Sequence, residues 1–211
     1  MGKTQRVILA SNNPGKLREI SEMMTGLHLE ILPQSKFNVP EIEETGATFI
    51  ENAILKARNA SKCTGLPAIG DDSGIEVDAL NGAPGIYSSR YAGEAASDEA
   101  NLYKLIEEVK KLPQDKRTIR FVCSMAYVRD AGDPAPVIAE GVWEGIAVTE
   151  PKGKNGFGYD PMFYVPTHNC TSAELPPDVK NRISHRGKAL KKLVEQLKII
   201  SDEVQDARMP R

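Results

Sequence analysis

Runs of apolar residues and their spacing predict alternating strands and helices at the start of the chain. Residues 7–10 form a continuous apolar run that indicates a buried strand, and a polar loop follows at 11–15. Apolar residues between 17 and 24 recur at helical spacing, and residues 27–31 alternate as a strand that ends before Pro33. This order of elements is typical of an α/β fold.

The middle of the chain continues the alternation. A long helix is predicted over 48–63, with small and apolar residues along one face and a stop at Gly65. Residues 68–74 indicate a short strand that ends in a tight turn, and residues 75–79 alternate as a second strand.

The last part of the chain adds two helices and a hairpin. A helix is predicted over 98–112, and strands over 120–128 and 136–143 are expected to pair antiparallel. The final helix has apolar residues along one face between 190 and 197, and the polar segment 201–211 is predicted to be a frayed tail. The sequence therefore predicts an α/β fold with a mixed central sheet flanked by helices.

Length and composition limit the class of protein. With 211 residues, 40% hydrophobic and 27% charged, the chain suits one globular domain, expected over 1–200, with two lobes and an active-site cleft between them. Its apolar runs are too short to cross a membrane, and a formal net charge of -2 argues against a protein that coats nucleic acid. Three cysteines without metal-like spacing suggest neither disulfides nor a zinc site, and no targeting segment is evident, so we expect a cytoplasmic protein.

The polar loop after the first strand is a candidate phosphate site. It joins a buried strand to a helix N-terminus, where backbone N–H groups and the helix dipole favour an anion. It is not a Walker A loop, because Ala10 and Leu17 stand where that motif needs a glycine and a serine or threonine. A plain turn with a solvated lysine is the alternative. The candidate residues are Ser11, Asn12, Asn13, Pro14, Gly15 and Lys16.

Two acidic segments are candidates for holding Mg²⁺. Glu41, Glu43 and Glu44 lie in one loop, and Asp71 with Asp72 follows a predicted buried strand. Carboxylates from two such places can hold magnesium through one or two direct bonds and several waters. Acidic loops are usually only solvated, but adjacent charges at the end of a buried strand are costly without a metal or partner. Successive strand residues face opposite ways, so only one of the two aspartates is expected to enter the cleft.

Two further segments carry candidate binding groups. Asn52 and Lys56 are four residues apart and so share one face of a helix, where a solvated surface pair is the alternative. Residues 156–161 place two aromatic rings among glycines, which suits either presentation of a ring to a nucleobase or a structural turn.

The start of the last helix breaks a local preference. Ser184 is expected to be its N-cap, which places His185 and Arg186 in the first turn, where the helix dipole disfavours cations. Donors at such a position indicate an anionic or carbonyl-bearing ligand. With Lys180, Arg182 and Lys188 nearby, an ordinary basic surface is the alternative.

Taken together, these motifs make the chain resemble the inosine triphosphate pyrophosphatase family, in particular its bacterial members that hydrolyse non-canonical purine triphosphates. The resemblance covers nearly all of residues 6–199. Each motif is weak alone, and the set is specific because the motifs occur in the family's order and spacing. The matching segments are 10–16, 44–49, 51–53, 71–74, 82–87, 156–161 and 184–187.

The resemblance implies a role for each candidate residue. It implies that Asp72 is the general base and a metal ligand, that Lys56 lies near the phosphates, and that residues 11–16 hold the triphosphate. Glu43, with Glu44 as the alternative, would supply the second metal carboxylate. The positions that would hold the nucleotide and its base are Ser73, Phe157, Gly158, Tyr159, Asp160, Lys180, His185 and Arg186.

The implied reaction is magnesium-dependent attack of water on the α-phosphorus of ITP, dITP or XTP, which yields a nucleoside monophosphate and pyrophosphate. The 6-keto group of these purines can be satisfied by a donor such as His185 or Arg186, whereas the 6-amino group of adenine opposes a donor with a donor. The resemblance also implies a homodimer. Two rivals remain: a related pyrophosphatase with a different preferred base, and a non-catalytic nucleotide sensor.

Overall fold

The computed structural model describes residues 5–24 and 29–206, with the backbone alone for 199–206. Its strands are β1 (Gln5–Ala10), β2 (Leu29–Pro33), β3 (Ala68–Val77), β4 (Thr118–Val128), β5 (Val137–Ala147), β6 (Phe163–Val165) and β7 (Cys170–Thr171). Its α-helices are α1 (Pro14–Met23), α2 (Phe49–Thr64), α3 (Asp98–Lys110), α4 (Pro177–Ile183) and α5 (His185–Asp206).

The strands form one sheet in the order β2, β1, β3, β4, β5, β6, β7. Strand β1 pairs in parallel with β2 and β3, and the remaining pairings of the described strands are antiparallel. The predicted α/β fold with a mixed sheet is confirmed. No helix in the described part of the chain is both long and apolar enough to span a membrane.

Helices α2 and α5 cover opposite faces of the sheet. A Cβ at Gly70 would clash with the backbone carbonyl of Ala53 in α2, and a Cβ at Gly141 would clash with the carbonyl of His185 in α5. Both glycines therefore let a helix backbone approach the sheet closely. This close packing sets the positions of the polar side chains that α2 and α5 carry.

The apolar core is interrupted in the middle of β3. Ile69 belongs to a cluster that packs against α1 and α5, whereas Ile75 belongs to a second cluster around α3. Residues 71–73 lie between them on the same strand and carry the polar sequence Asp-Asp-Ser. A third cluster packs the remaining face of β1 against α2.

Strand β3 corrects the prediction of two short strands, 68–74 and 75–79, separated by a turn. It is one continuous strand, paired along its whole length with β4. Gly74 does not turn the chain but makes room for Ser88, whose Oγ would lie 2.6 Å from a Cβ at position 74. Asp71 and Asp72 therefore lie in the middle of a strand and not at its end.

Strand β2 corrects a second boundary, because it includes Pro33. Proline has no N–H for a strand ladder, but β2 is the edge strand of the sheet, where this is tolerated. Residues 27–28 of the predicted strand lie outside the described part of the chain.

The other elements agree with the predictions within a few residues. Helix α2 begins with a capping box between Thr48 and Glu51 and ends at Gly65 in the left-handed conformation, with φ 67°. The β4–β5 hairpin and helix α3 are confirmed. Helix α5 continues to Asp206, into the segment predicted as a tail, and residues 207–211 lie outside the described part.

Candidate functional site

Two joined cavities lie where β1 ends beside the middle of β3. The larger has a volume of about 730 Å³ and the smaller about 120 Å³. Asn13, Lys16, Glu44 and Ser89 line both cavities, so the two meet at these side chains. A ligand that occupies both must pass this junction.

The structure brings almost all of the predicted site residues to these cavities. The exceptions are Pro14 and Gly15, which line neither. The predicted residues that line the larger cavity are Ser11, Asn12, Asn13, Lys16, Glu43, Glu44 and Lys56. Those that line the smaller cavity, apart from the shared ones, are Asp72, Ser73, Phe157, Gly158, Tyr159, Asp160, Lys180, His185 and Arg186.

The loop before α1 is held by its own side chains. Asn13 caps the helix, because its Oδ1 accepts hydrogen bonds from the N–H groups of Gly15 (2.9 Å) and Lys16 (3.1 Å). Pro14 occupies the first helical position, where its missing N–H does no harm. Two of the backbone donors expected to bind phosphate are thus already used, and Lys16 remains as the cation that lines both cavities.

Asp71 is buried between two cations. Its Oδ1 lies 2.6 Å from Lys16 Nζ, and its Oδ2 accepts a hydrogen bond from Arg186 Nε at 2.9 Å. Ser73 Oγ and the Cys123 thiol also donate to it, at 2.7 and 3.4 Å. Burial alone would raise the pKa of Asp71, but Arg186 and Lys16 outweigh burial and hold the pKa well below its ordinary value. The ionised carboxylate therefore links the first turn of α1 to the first turn of α5.

Asp72 points to the opposite face of β3 and meets α2. Its Oδ1 lies 2.6 Å from Lys56 Nζ, and its Oδ2 lies 3.4 Å from Asn52 Nδ2. Burial raises the pKa of Asp72 above its ordinary value, and the Glu44 carboxylate adds to this, against the opposing effect of Lys56. A raised pKa makes this carboxylate a better proton acceptor than an ordinary aspartate.

The two aspartates lie on opposite faces of β3, as the alternation of strand residues predicts, and the side chain of Asp71 is 0% exposed against 7% for Asp72. Asp71 lines the larger cavity and Asp72 the smaller. Strand β1 ends at Ala10, which pairs with Gly70, so the edge of β3 loses this neighbour at Asp71. The carboxylate of Asp71 is nevertheless covered by its own partners, Lys16 and Arg186.

Of the two candidate second carboxylates, the structure brings Glu44 close to Asp72. Glu44 Oε1 lies 2.9 Å from Lys56 Nζ, which Asp72 shares, and Glu44 Oε2 lies 3.1 Å from Arg90. Burial would raise the pKa of Glu44, but Lys56 outweighs burial and lowers it. Glu43 is exposed on the wall of the larger cavity. Within residues 5–24 and 29–206, no three His, Cys, Asp or Glu side chains form a group that could hold a metal.

A buried network of ion pairs borders the smaller cavity. Glu19 accepts hydrogen bonds from Lys180 Nζ at 2.9 Å and from Arg186 Nη1 at 2.5 Å, and Lys180 Nζ also lies 2.6 Å from Asp160. Burial would raise the pKa of Glu19, but Arg186 and Lys180 outweigh burial and lower it. The two cations are therefore fixed and their charge is compensated, which excludes an ordinary solvated basic surface for Lys180 and Arg186. Arg182 and Lys188 are exposed.

The glycine-rich loop is both a structural turn and a support for an aromatic ring. Gly156 and Gly158 have φ angles of 76° and 58°, which side chains other than glycine rarely adopt. Asp160 closes the turn by accepting from the Phe157 N–H at 2.8 Å. The Phe157 ring covers Gly15, where a Cβ would lie 2.7 Å from its Cε1, and Lys180 Nζ stands 5.2 Å from the ring centroid. The ring thus lies on the wall of the smaller cavity.

His185 is buried at the first position of α5, and its ring stacks on Phe121 with centroids 4.6 Å apart. Its Nδ1 has no hydrogen-bond partner within the described residues. Burial, helped by the charge of Arg186, lowers the pKa of His185 well below its ordinary value. The ring is therefore neutral, with one donor and one acceptor nitrogen. An unpaired polar atom in a buried site indicates a ligand that completes it.

The low pKa of His185 predicts a loss of stability in mild acid. Above a pH of about 6.5 neither the folded nor the unfolded chain protonates this ring, so the shift has no effect there. Below that pH the unfolded chain takes up a proton that the fold refuses, which removes about 1.4 kcal/mol of unfolding free energy per pH unit. Urea unfolding at about pH 7.5, 6.5 and 5.5 measures this loss of unfolding free energy.

His185→Gln is expected to lack this part of the pH dependence, because glutamine does not titrate. His168→Gln is the matched control, since His168 is exposed, and it should keep the wild-type slope. Parallel curves for His185→Gln and the wild type would show that the ring does not stay neutral in the fold.

Known proteins match this chain over most of its length. A model of the Ham1 family matches residues 7–196. The chain belongs to the Ham1 family. A Ham1-family relative from Vibrio parahaemolyticus, named dITP/XTP pyrophosphatase, is 56% identical over 193 residues, which are 92% of this chain and 96% of the relative. One of the same name from Thioalkalivibrio sulfidiphilus is 57% identical over 192 residues, which are 91% of this chain and 98% of that one.

A solved Ham1 structure agrees with the fold. The HAM1 protein from Coxiella burnetii matches with a TM-score of 0.85 and 52% identity, over 92% of this chain and 98% of that one. The resemblance to inosine triphosphate pyrophosphatases that the sequence motifs predicted is therefore confirmed at the level of the family.

Sequence reasoning missed two charged side chains of this Ham1-family site, Glu19 and Arg90. Glu19 follows Lys16 by three residues and so lies beside it on α1, which is the one local signal that could have found it. Asp71 was a candidate for Mg²⁺ together with Asp72, but its ion pairs with Lys16 and Arg186 were not predicted. Arg90, which binds Glu44, ends a 3₁₀ helix at Gly85–Arg90 that no pattern predicted.

Proposed function

We propose that the chain hydrolyses non-canonical purine nucleoside triphosphates, namely ITP, dITP and XTP, to the monophosphate and pyrophosphate. The observation that carries this proposal is the pair of joined cavities. One has lysines and carboxylates on its wall, and the other has a buried neutral imidazole and aromatic rings. The curated relatives named dITP/XTP pyrophosphatase support the same assignment.

The polar groups of the site suit a nucleotide that spans both cavities. The base would occupy the smaller cavity, near Phe157 and His185, and the polyphosphate would pass Lys16 into the larger one. The α-phosphate would then lie near the junction, within reach of Lys16 and close to Asp72. A triphosphate is strongly anionic, and Lys16 and Lys56 offset that charge.

The carboxylates of this region fit Mg²⁺. Asp72 and Glu44 share the ammonium group of Lys56, so their oxygens are near each other, and carboxylate oxygens are ligands that magnesium prefers. Glu43 on the same wall is the other candidate. With only two carboxylates, the remaining ligands would be phosphate oxygens and water. When bound, the ion would offset negative charge on the phosphates.

In the proposed mechanism Asp72 orients a water molecule towards the α-phosphorus and takes its proton. Lys56 fixes the Asp72 carboxylate by the 2.6 Å contact and compensates its charge. No covalent nucleophile takes part. Burial raises the pKa of the Cys123 thiol, which keeps the one thiol beside the site protonated and unreactive.

The proposed base selection requires that the His185 nitrogen facing the base carries the proton, because a neutral imidazole has one donor and one acceptor nitrogen. A 6-keto group, as in hypoxanthine and xanthine, can accept a hydrogen bond from the imidazole N–H, whereas the 6-amino group of adenine cannot. A buried donor left unpaired costs about 1–3 kcal/mol, so adenine is disfavoured. Arg186 has less freedom to contact the base, because Glu19, Asp71 and Ser73 already accept from it.

The proposal includes a cytoplasmic homodimer that acts on a small molecule and binds neither nucleic acid nor membranes. Cys63, Cys123 and Cys170 are free thiols, which suits a reducing compartment. A net charge of -2 suits a protein that does not coat nucleic acid. The homodimer rests on the family resemblance alone.

A panel of nucleoside triphosphates tests the proposed function. With Mg²⁺, dITP, ITP and XTP are expected to release pyrophosphate, and kcat/KM for ATP should be lower by about tenfold or more, since 1.4 kcal/mol corresponds to a factor of ten. Chelation of the metal should stop turnover. A preference for a pyrimidine triphosphate would favour a related pyrophosphatase, and binding without any turnover would favour a sensor.

A further inference from the structure

Arg90 stands on the wall of the larger cavity with its guanidinium held from two sides. It ends the 3₁₀ helix Gly85–Arg90, and its Cζ lies 5.3 Å from the centroid of the Tyr87 ring. Its Nη1 lies 3.1 Å from Glu44 Oε2, and its Nε lies 3.9 Å from Glu94 Oε1. The side chain is 19% exposed, so it is ordered by its neighbours and still reaches the cavity.

The contact between Arg90 and Glu44 is one that a ligand can replace. Glu44 bridges two cations, with one carboxylate oxygen on Lys56 and the other on Arg90. Among the described contacts only Nη1 of Arg90 makes a carboxylate hydrogen bond. The other N–H groups of its planar guanidinium can therefore bind an incoming anion. Arginine offers these donors in pairs that match phosphate oxygens.

The position of Arg90 decides which phosphate it can meet. The two cavities join at Asn13, Lys16, Glu44 and Ser89, and Arg90 lines only the larger one. A nucleotide with its base in the smaller cavity brings its α-phosphate to the junction. The β- and γ-phosphates then extend into the larger cavity, where Arg90 lies.

We propose that Arg90 binds the pyrophosphate half of the substrate, with phosphate oxygens taking the place of Glu44 as its partner. This inference rests on the proposed function for the direction of the nucleotide. Negative charge accumulates on the pyrophosphate as the bond to the α-phosphorus breaks, and a fixed guanidinium offsets that charge. Glu44, released from Arg90, is then free to bind a cation.

Calorimetric titration of the full chain with inorganic pyrophosphate tests the proposal, with Mg²⁺ and separately with EDTA. Arg90→Ala is expected to raise the Kd for pyrophosphate by about tenfold to a hundredfold, the range of one charge-assisted hydrogen bond. Arg90→Lys should give an intermediate Kd for pyrophosphate, because lysine keeps the positive charge but lacks the paired N–H donors of the guanidinium. The Kd for inosine monophosphate should not change in either variant.

Arg120→Ala is the matched control, since Arg120 is also ion-paired and partly buried but lines neither cavity. It should bind both ligands as the wild type does. Wild-type pyrophosphate binding by Arg90→Ala, an equal loss for pyrophosphate and inosine monophosphate, or a loss seen only with Mg²⁺ would each overturn the proposal. A wild-type chain that neither binds pyrophosphate nor releases it from dITP would instead refute the proposed function.

Discussion

Asp72→Asn is expected to lower kcat for dITP by about 10³-fold while the fold stays intact, because a positioned general base typically contributes 10²–10⁴. Asparagine has nearly the shape of aspartate and can still accept a hydrogen bond from Lys56, but it cannot take a proton from water. Steady-state release of pyrophosphate measures kcat, and circular dichroism with thermal unfolding checks the fold.

Asp115→Asn is the control for this substitution, because Asp115 is exposed and lines neither cavity. It should keep wild-type turnover. Near-normal turnover in Asp72→Asn would refute the role of this carboxylate, whatever the effect on stability.

The second large effect concerns stability. Arg186→Met is expected to lower the free energy of unfolding by about 3–5 kcal/mol, the usual result when one partner of a buried ion pair is removed. The Arg186 side chain is 2% exposed and compensates both Asp71 and Glu19, which would be left with less charge compensation in a buried site. Denaturant unfolding followed by fluorescence or circular dichroism measures the change.

Arg182→Met gives the matched comparison. Arg182 pairs with Asp178 at 3.0 Å, but both side chains are about two-thirds exposed, at 66% and 68%. Exposed ion pairs contribute about 0–1 kcal/mol, so this variant should unfold almost as the wild type does. Similar losses in the two arginine variants would mean that the buried network does not stabilise the fold as described.

Local patterns predicted the parts of the fold that local physics decides. The 3.6-residue period and capping residues located α2 and its end at Gly65, and the alternating strands around a turn located the β4–β5 hairpin. They failed where a distant contact decides the outcome. A glycine at position 74 suggests a turn, but Gly74 is a strand residue that pairs with Val122 of β4. A side chain there would clash with Gly85 and Ser88, so this position needs glycine for space.

The same limit applies to the residues of the site: local motifs indicated some of them, and distant contacts decide the others. Motif spacing indicated Lys16, Asp72 and His185, and all three lie on the joined cavities. It did not indicate the ion pair of Glu19, whose partner Arg186 is 167 residues away in the sequence. A buried charge is tolerated only because of its partners, and the sequence alone does not tell which distant residues become partners.

The structure of the Asp72→Asn chain with dITP and Mg²⁺ bound tests the proposed binding mode most directly. We expect hypoxanthine in the smaller cavity with a hydrogen bond from His185, the α-phosphate beside Lys16, and the remaining phosphates in the larger cavity. A nucleotide bound in the reverse direction, or bound away from the junction of the two cavities, would contradict it.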